Sequence, residues 1–227
     1  MDLPKRIIIS RKGFDSGAGK CASPILGDKL LSVPIPENPA LGVHTRYEHL
    51  GSQDGQQLPT CLVMPRGQCI ELNGPVHLDP DLRPDLRSTN RDRKELLFGQ
   101  DSGLQTHLSN EKVESCDLFL FFGWFRKAAQ VESREVHFER GAPGEHVIWG
   151  WLQIEKKIPI RFGGPIPDEL ADLRHHPFST GTNFFPGCPT CRFQIREKWP
   201  AVNWQLLDPN ADVSRDYTPV DIHGAFF

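Results

Sequence analysis

Apolar positions along this chain fall into short runs, and the runs predict strands rather than long helices. Ile7-Ile8-Ile9 is a β-branched triplet and predicts a short buried strand. Leu118-Phe119-Leu120-Phe121-Phe122 is apolar without interruption and predicts a strand covered on both faces. Val136 to Phe138 is a shorter candidate, and Gly141-Ala142-Pro143-Gly144 is a turn. His146 to Ile154 predicts a third strand, with Val147, Trp149 and Trp151 on one face and Ile148, Gly150 and Leu152 on the other. Ile158-Pro159-Ile160 continues after a charged Glu155-Lys156-Lys157 bend. One helix is expected over residues 100–112, ending near Asn110.

Other segments read as loops. Val33-Pro34-Ile35-Pro36 is extended, but its prolines lack N–H donors and keep it out of a central strand. Residues 37–60 are polar and Gly-rich, with a partly helical piece near His44 to Leu50. Charges dominate from Asp79 to Lys94, as on a solvated face with pairs inside the chain.

Composition narrows the function classes. The 227 residues suffice for one large domain or two small ones, and 20 prolines with 20 glycines favour a β-rich domain over a helical bundle. The net charge of -3 gives no overall basic footprint. A protein that holds duplex DNA by phosphate neutralisation is usually basic, so this chain must use a local patch or bind a nucleotide or a partner protein. There is no run of eighteen apolar residues and no apolar signal core in Met1-Asp2-Leu3-Pro4-Lys5-Arg6. The expectation is a cytoplasmic protein with no membrane partner, its six cysteines present as thiols.

Candidate chemistry begins where the first strand ends. Ser10-Arg11-Lys12-Gly13-Phe14-Asp15 combines a hydroxyl, two cations, a glycine, an aromatic ring and a carboxylate, a mixture no core requires. Arg11 and Lys12 suit an anionic or carbonyl-bearing ligand, and Phe14 offers a stacking face. Asp15 or His77 could serve as general base, with Lys12 or Arg11 stabilising developing negative charge. Trp124 beside Arg126 joins stacking to a charged fork, as unpaired bases are held. Gln100, Gln105 and Gln153 carry amides able to read base edges.

Three further motifs are incomplete. Gly17-Ala18-Gly19-Lys20 misses phosphate-loop spacing, because five residues rather than four separate Gly13 from Gly19, and Cys21 replaces the needed Ser or Thr. His77-Leu78-Asp79 has the His-x-carboxylate spacing of a non-haem iron facial triad and would need a distal histidine from His137, His146, His175 or His176; a turn-capping role at Pro80 is the rival reading. Cys188-Pro189-Thr190-Cys191 is half of a zinc site. No metal is assigned, and the cofactor stays undefined.

Several segments in order resemble the nucleotide modification associated domain 3 family. They are Ser10-Arg11-Lys12-Gly13-Phe14-Asp15-Ser16, Ser23-Pro24-Ile25, Ser32-Val33-Pro34-Ile35-Pro36 and His77-Leu78-Asp79-Pro80-Asp81-Leu82. Phe98-Gly99-Gln100 with Gln105-Thr106-His107-Leu108 follows, then residues 117–126, residues 146–154 and His175-His176-Pro177. The resemblance implies a role near modified nucleotides, in DNA base modification systems of bacteria and their viruses. A looser similarity, over residues 113–160, is to PUA-like and ASCH-like barrels that bind RNA or modified bases; the usual Gly before the Asp is Cys116 here.

The combined expectation is one α+β domain over residues 1–227, with a twisted antiparallel or barrel-like sheet and a PUA/ASCH-like centre. It would recognise or process a nucleotide or modified base in DNA, alongside other DNA modification proteins. Asp15 and His77 are the catalytic candidates. Ser10, Arg11, Lys12, Phe14, Asp79, Gln100, Trp124, Arg126 and His176 are the ligand-binding candidates. The alternatives are an iron oxygenase built on His77 and Asp79, and a non-catalytic protein-interaction domain.

Overall fold

The computed structural model describes residues 4–37, 45–50, 52–53, 56–82, 96–100, 102–131, 134–159, 168 and 183–184, with 52–53, 56–57, 102 and 183–184 described by their backbone alone. His175, His176, Cys188, Cys191, Ile160 and the charged run after Leu82 lie outside the described residues.

The strands are β1 (Ile7–Arg11), β2 (Ser23–Leu26), β3 (Lys29–Leu30), β4 (Ile35–Pro36), β5 (Ser52–Gln53), β6 (Gln56–Gln57), β7 (Cys61–Val63) and β8 (Cys69–Glu71). They continue as β9 (Val76–His77), β10 (Gly99–Gln100), β11 (Leu118–Gln130), β12 (Glu135–Phe138), β13 (Gly144–Gln153), β14 (Ile158–Pro159) and β15 (Asn183–Phe184). The α-helix among the described residues, α1 (Ser102–Asn110), ends at the expected residue. Its end is sealed by Lys112 at φ 53° and by Val113 N–H donating to the Leu108 carbonyl at 3.0 Å, while both apolar side chains enter the core.

β11 organises the molecule. It runs for 13 residues, well past the apolar run that announced it. β1 pairs with residues 118–122 and β2 with residues 125–128, both parallel and along one edge. β13 and then β12 take the other edge, both antiparallel. β7 adds to β12 in parallel, and β8 closes that side antiparallel to β7. The sheet is therefore open and mixed, and the described strands close no barrel. Parallel pairing of β1 and β2 on β11 explains the departure from an antiparallel sheet: each is brought to β11 from far away in sequence. Pro34 and Pro36 fall as expected outside the main sheet, where, among the described residues, β4 pairs with β9.

The alternation expected over residues 146–154 breaks at a bulge. Opposite Phe121/Phe122, the register of β13 skips Trp149, pairing Phe121 with Gly150 and Phe122 with Ile148. Cross-strand partners share a face, so Gly150 and Leu152 join Val147, while Trp151 moves to the side of Ile148. The two faces of β11 carry separate cores. Phe119 and Phe121 pack with Ile8, Phe98, Leu108 and Leu152 on one. Trp124 and Ala128 pack with Phe14, Val33, Leu62 and Phe138 on the other.

Cysteine chemistry departs from the expectation of six thiols. The β7–β8 hairpin brings Cys61 and Cys69 to a Cα separation of 6.0 Å, and they form a disulfide. Cys21 is a free thiol with no solvent exposure, and burial pushes its pKa up to about 12. An unfolded cysteine ionises near pH 8.5, so above that pH the unfolded chain loses a proton that the native chain keeps. Stability should therefore fall as pH rises, by about 2 kcal/mol between pH 8.5 and 10. Urea unfolding across that range should show the slope in the native sequence and a flatter one in Cys21→Ala; equal slopes would remove the effect.

Candidate functional site

The loop from Lys12 to Ala22 leaves the β11 edge after β1 and returns as β2, so it is held at both ends by one strand. Lys12 N–H still donates to the Phe122 carbonyl at 2.8 Å, and the Trp149 indole Nε1 lies 3.4 Å from the Lys12 carbonyl as donor. A Cβ at Gly123 would stand 2.9 Å from that same carbonyl oxygen and 3.2 Å from Trp149 Nε1. Only glycine lets β11, the Lys12 backbone and the bulged Trp149 approach so closely. The bulge thus positions Trp149 and fixes where Lys12 begins.

Lys12 Nζ stands 4.8 Å from the centroid of the Phe98 ring and 3.4 Å from Asp79 Oδ2. Asp79 has no exposed side-chain surface, and its Oδ1 accepts the Gly99 N–H at 2.9 Å. Asp79 Oδ2 also faces His77 Nε2 at 3.9 Å. His77 Nδ1 lies 2.5 Å from Glu37 Oε2. A line of ionisable groups results: ammonium, carboxylate, imidazole, carboxylate. Lys12, His77 and Glu37 keep 16, 12 and 11 % of their side-chain exposure, so the line is mostly buried yet reaches the surface. A carboxylate accepts but cannot donate, so Nδ1 carries the proton toward Glu37, and Nε2 is the basic atom of the neutral ring.

The sheet divides the remaining predicted residues. Ser10 is buried opposite Phe121, on the Phe98 face, and Gln100 is buried immediately after Gly99. Arg11 pairs with Phe122 in the ladder and so belongs to the opposite face, with Trp124 and Arg126. Arg126 is four residues beyond the ladder partner of Arg11, about 13 Å along the strand. Arg11 is bound to Asp15 at 2.8 Å. Asp15 Oδ1 accepts the N–H groups of Gly17 and Ala18, both at 2.6 Å, so this carboxylate orders a turn. Phe14 has 1 % exposure and no face for a ligand, because the loop folds its ring into the core against Gly19. Trp124 lies on Gly144 and packs in the same core, while Arg126 Nη2 donates to the Glu139 carbonyl at 3.1 Å.

Sequence reasoning missed Glu37 and treated Phe98 and Trp149 as ordinary. Glu37 had a usable signal: a carboxylate directly after an extended Pro-rich segment that cannot enter the main sheet. His137 lies 3.5 Å from Glu135 and apart from this cluster. Among the described residues, no group of three or more His, Cys, Asp or Glu side chains is arranged to hold a metal ion. No helix among them is long and apolar enough to cross a membrane.

Fold and site define the class as an open, mixed-sheet α+β domain with an inward-facing Lys–Asp–His–Glu cluster. A family model described as nucleotide modification associated domain 3 matches residues 6–182, and the chain belongs to that family. Membership associates the chain with nucleotide modification systems. No curated protein and no solved structure matches it significantly.

Proposed function

We propose that the chain, acting as a single domain, recognises and processes a nucleotide or modified base in a DNA base modification system, with other DNA modification proteins as its setting. The observation that supports this reading is the histidine held between two carboxylates in a family associated with nucleotide modification. Glu37 would orient the ring through Nδ1. Nε2 would take or give a proton at a ring nitrogen or exocyclic group of the base. Asp79, steadied by Lys12 and the Gly99 N–H, would fix the far side of the site. Ser10 and Gln100, both buried, would form part of its wall.

His77→Asn separates holding a ligand from transforming it. Asparagine keeps a polar side chain near Glu37 but has no titrating nitrogen. The expected result is binding of a nucleoside or oligonucleotide within about tenfold of the native chain. Turnover should fall by about 10²–10⁴, the usual contribution of a positioned acid–base group. Calorimetric binding and product analysis by mass spectrometry, with deoxynucleosides, their monophosphates and modified oligonucleotides, supply both readouts. Unchanged binding and unchanged turnover in His77→Asn would remove His77 from the site.

A further inference from the structure

We infer that the Cys61–Cys69 disulfide is a thiol-exchange site, entered at Cys69 by a small thiolate, and that opening it loosens the strand carrying His77 while the fold persists. The hairpin makes the two cysteines unequal. Cys61 is buried, whereas Cys69 is exposed at the start of β8. β8 is the last strand on its side of the main sheet, so a thiol in solution meets Cys69 first. The register sets Cys69 opposite Val63 and Cys61 opposite Glu71. Cross-strand partners share a face, so the disulfide lies on the face away from Leu62 and Ile70. Those two pack into the core with Val136 and Phe138, and opening the disulfide removes no atom from that core.

Exchange needs only a reductant of the thiol class. A thiolate forms a new S–S bond to Cys69 Sγ, the bond to Cys61 breaks, and Cys61 leaves as a thiolate that takes up a proton. A second thiolate attacks the reagent sulfur of this mixed disulfide and releases Cys69. Two thiols are oxidised to one disulfide, and the hairpin takes the two electrons. The freed strand leads straight to His77. After Glu71, Leu72 is anchored by its N–H on the Thr60 carbonyl at 2.8 Å. Pro75 then offers its carbonyl to the Glu37 N–H at 3.0 Å, and Val76 N–H donates to the Thr45 carbonyl at 2.9 Å. β9 begins there and sets His77 opposite Ile35. The backbone that holds Glu37 and the strand that bears His77 therefore continue from β8, whose restraint the disulfide supplies. The coupling is mechanical and independent of any ligand.

The test adds excess reduced glutathione to the oxidised chain, quenches with acid and maps the products by mass spectrometry. The first adduct should sit on Cys69, with Cys61 recovered as a free thiol. Hydrogen exchange in the chain reduced by a phosphine should be about tenfold or more faster at the Leu72 and Val76 amides and within about twofold at those of β11. Cys61→Ser with Cys69→Ser should reproduce that pattern without reductant. An adduct on Cys61, or none, would overturn entry at Cys69. Unchanged exchange at Val76 would overturn the coupling to His77. Faster exchange throughout β11, or a double variant that does not fold, would make the disulfide a staple of the whole fold and overturn the inference.

Discussion

Arg6→Ala is expected to destabilise the fold by about 3–5 kcal/mol, more than the removal of its partner Asp117. Asp117 precedes β11 and has no exposed side-chain surface. Its Oδ2 accepts from Arg6 Nη2 at 2.6 Å and from the Glu114 N–H at 3.0 Å, and its Oδ1 lies 3.3 Å from Arg6 Nε. The same guanidinium reaches the carbonyls of Glu111 and Lys112 just beyond α1. One side chain therefore ties the start of β1 to the start of β11 and to the end of the helix. Losing it strands a carboxylate where water cannot reach. Losing Asp117 instead leaves an arginine whose side chain is 37 % exposed and can turn outward, so Asp117→Ala should cost only about 2–3 kcal/mol. Urea unfolding of both variants decides the order. A smaller loss in Arg6→Ala than in Asp117→Ala would show that desolvation of the carboxylate is not the controlling cost.

Asp79→Ala should lower stability by about 3 kcal/mol and abolish ligand binding together. The change leaves Lys12 without its carboxylate and the Gly99 N–H without its acceptor. A compensated variant separates the two effects. Lys12→Met with Asp79→Leu removes the stranded charge and refills the volume, so it should recover at least half of the lost stability. Binding should not return with it. Denaturant midpoints and calorimetry on the same samples give both numbers. An Asp79→Ala protein within 1 kcal/mol of the native chain would mean that the Lys12–Asp79 pair contributes little to holding the site.

Local pattern was enough for the parts of this fold that local physics controls. Three β-branched residues at Ile7–Ile9 and five apolar residues at Leu118–Phe122 marked the two strands that pair along their whole shared length. The helix stopped at Asn110 as read, because its cap is set by neighbours within a turn or so. The continuation of β11 to Gln130 was not legible. Its later residues, Lys127, Ala129 and Gln130, are exposed and polar or small, and only pairing with β12 and β2 makes them strand.

The order of segments also carried the family, and Ser10, Lys12, His77, Asp79 and Gln100 stood out in the sequence as polar residues at strand ends and loops. Their grouping was decided elsewhere. Alternation along β1, carried on into Lys12, sends Lys12 and Arg11 to opposite faces, so adjacent residues in one motif take different partners. The bulge at Trp149 shifts every later side chain of β13 by one face. Glu37 reaches His77 across 40 residues and Asp79 reaches Lys12 across 67. The sequence by itself determined which residue types were present at each strand end and loop. Only the tertiary structure decided which charges neutralise one another, because a charge pair depends on distance in space and the chain closes those distances only after the sheet has formed.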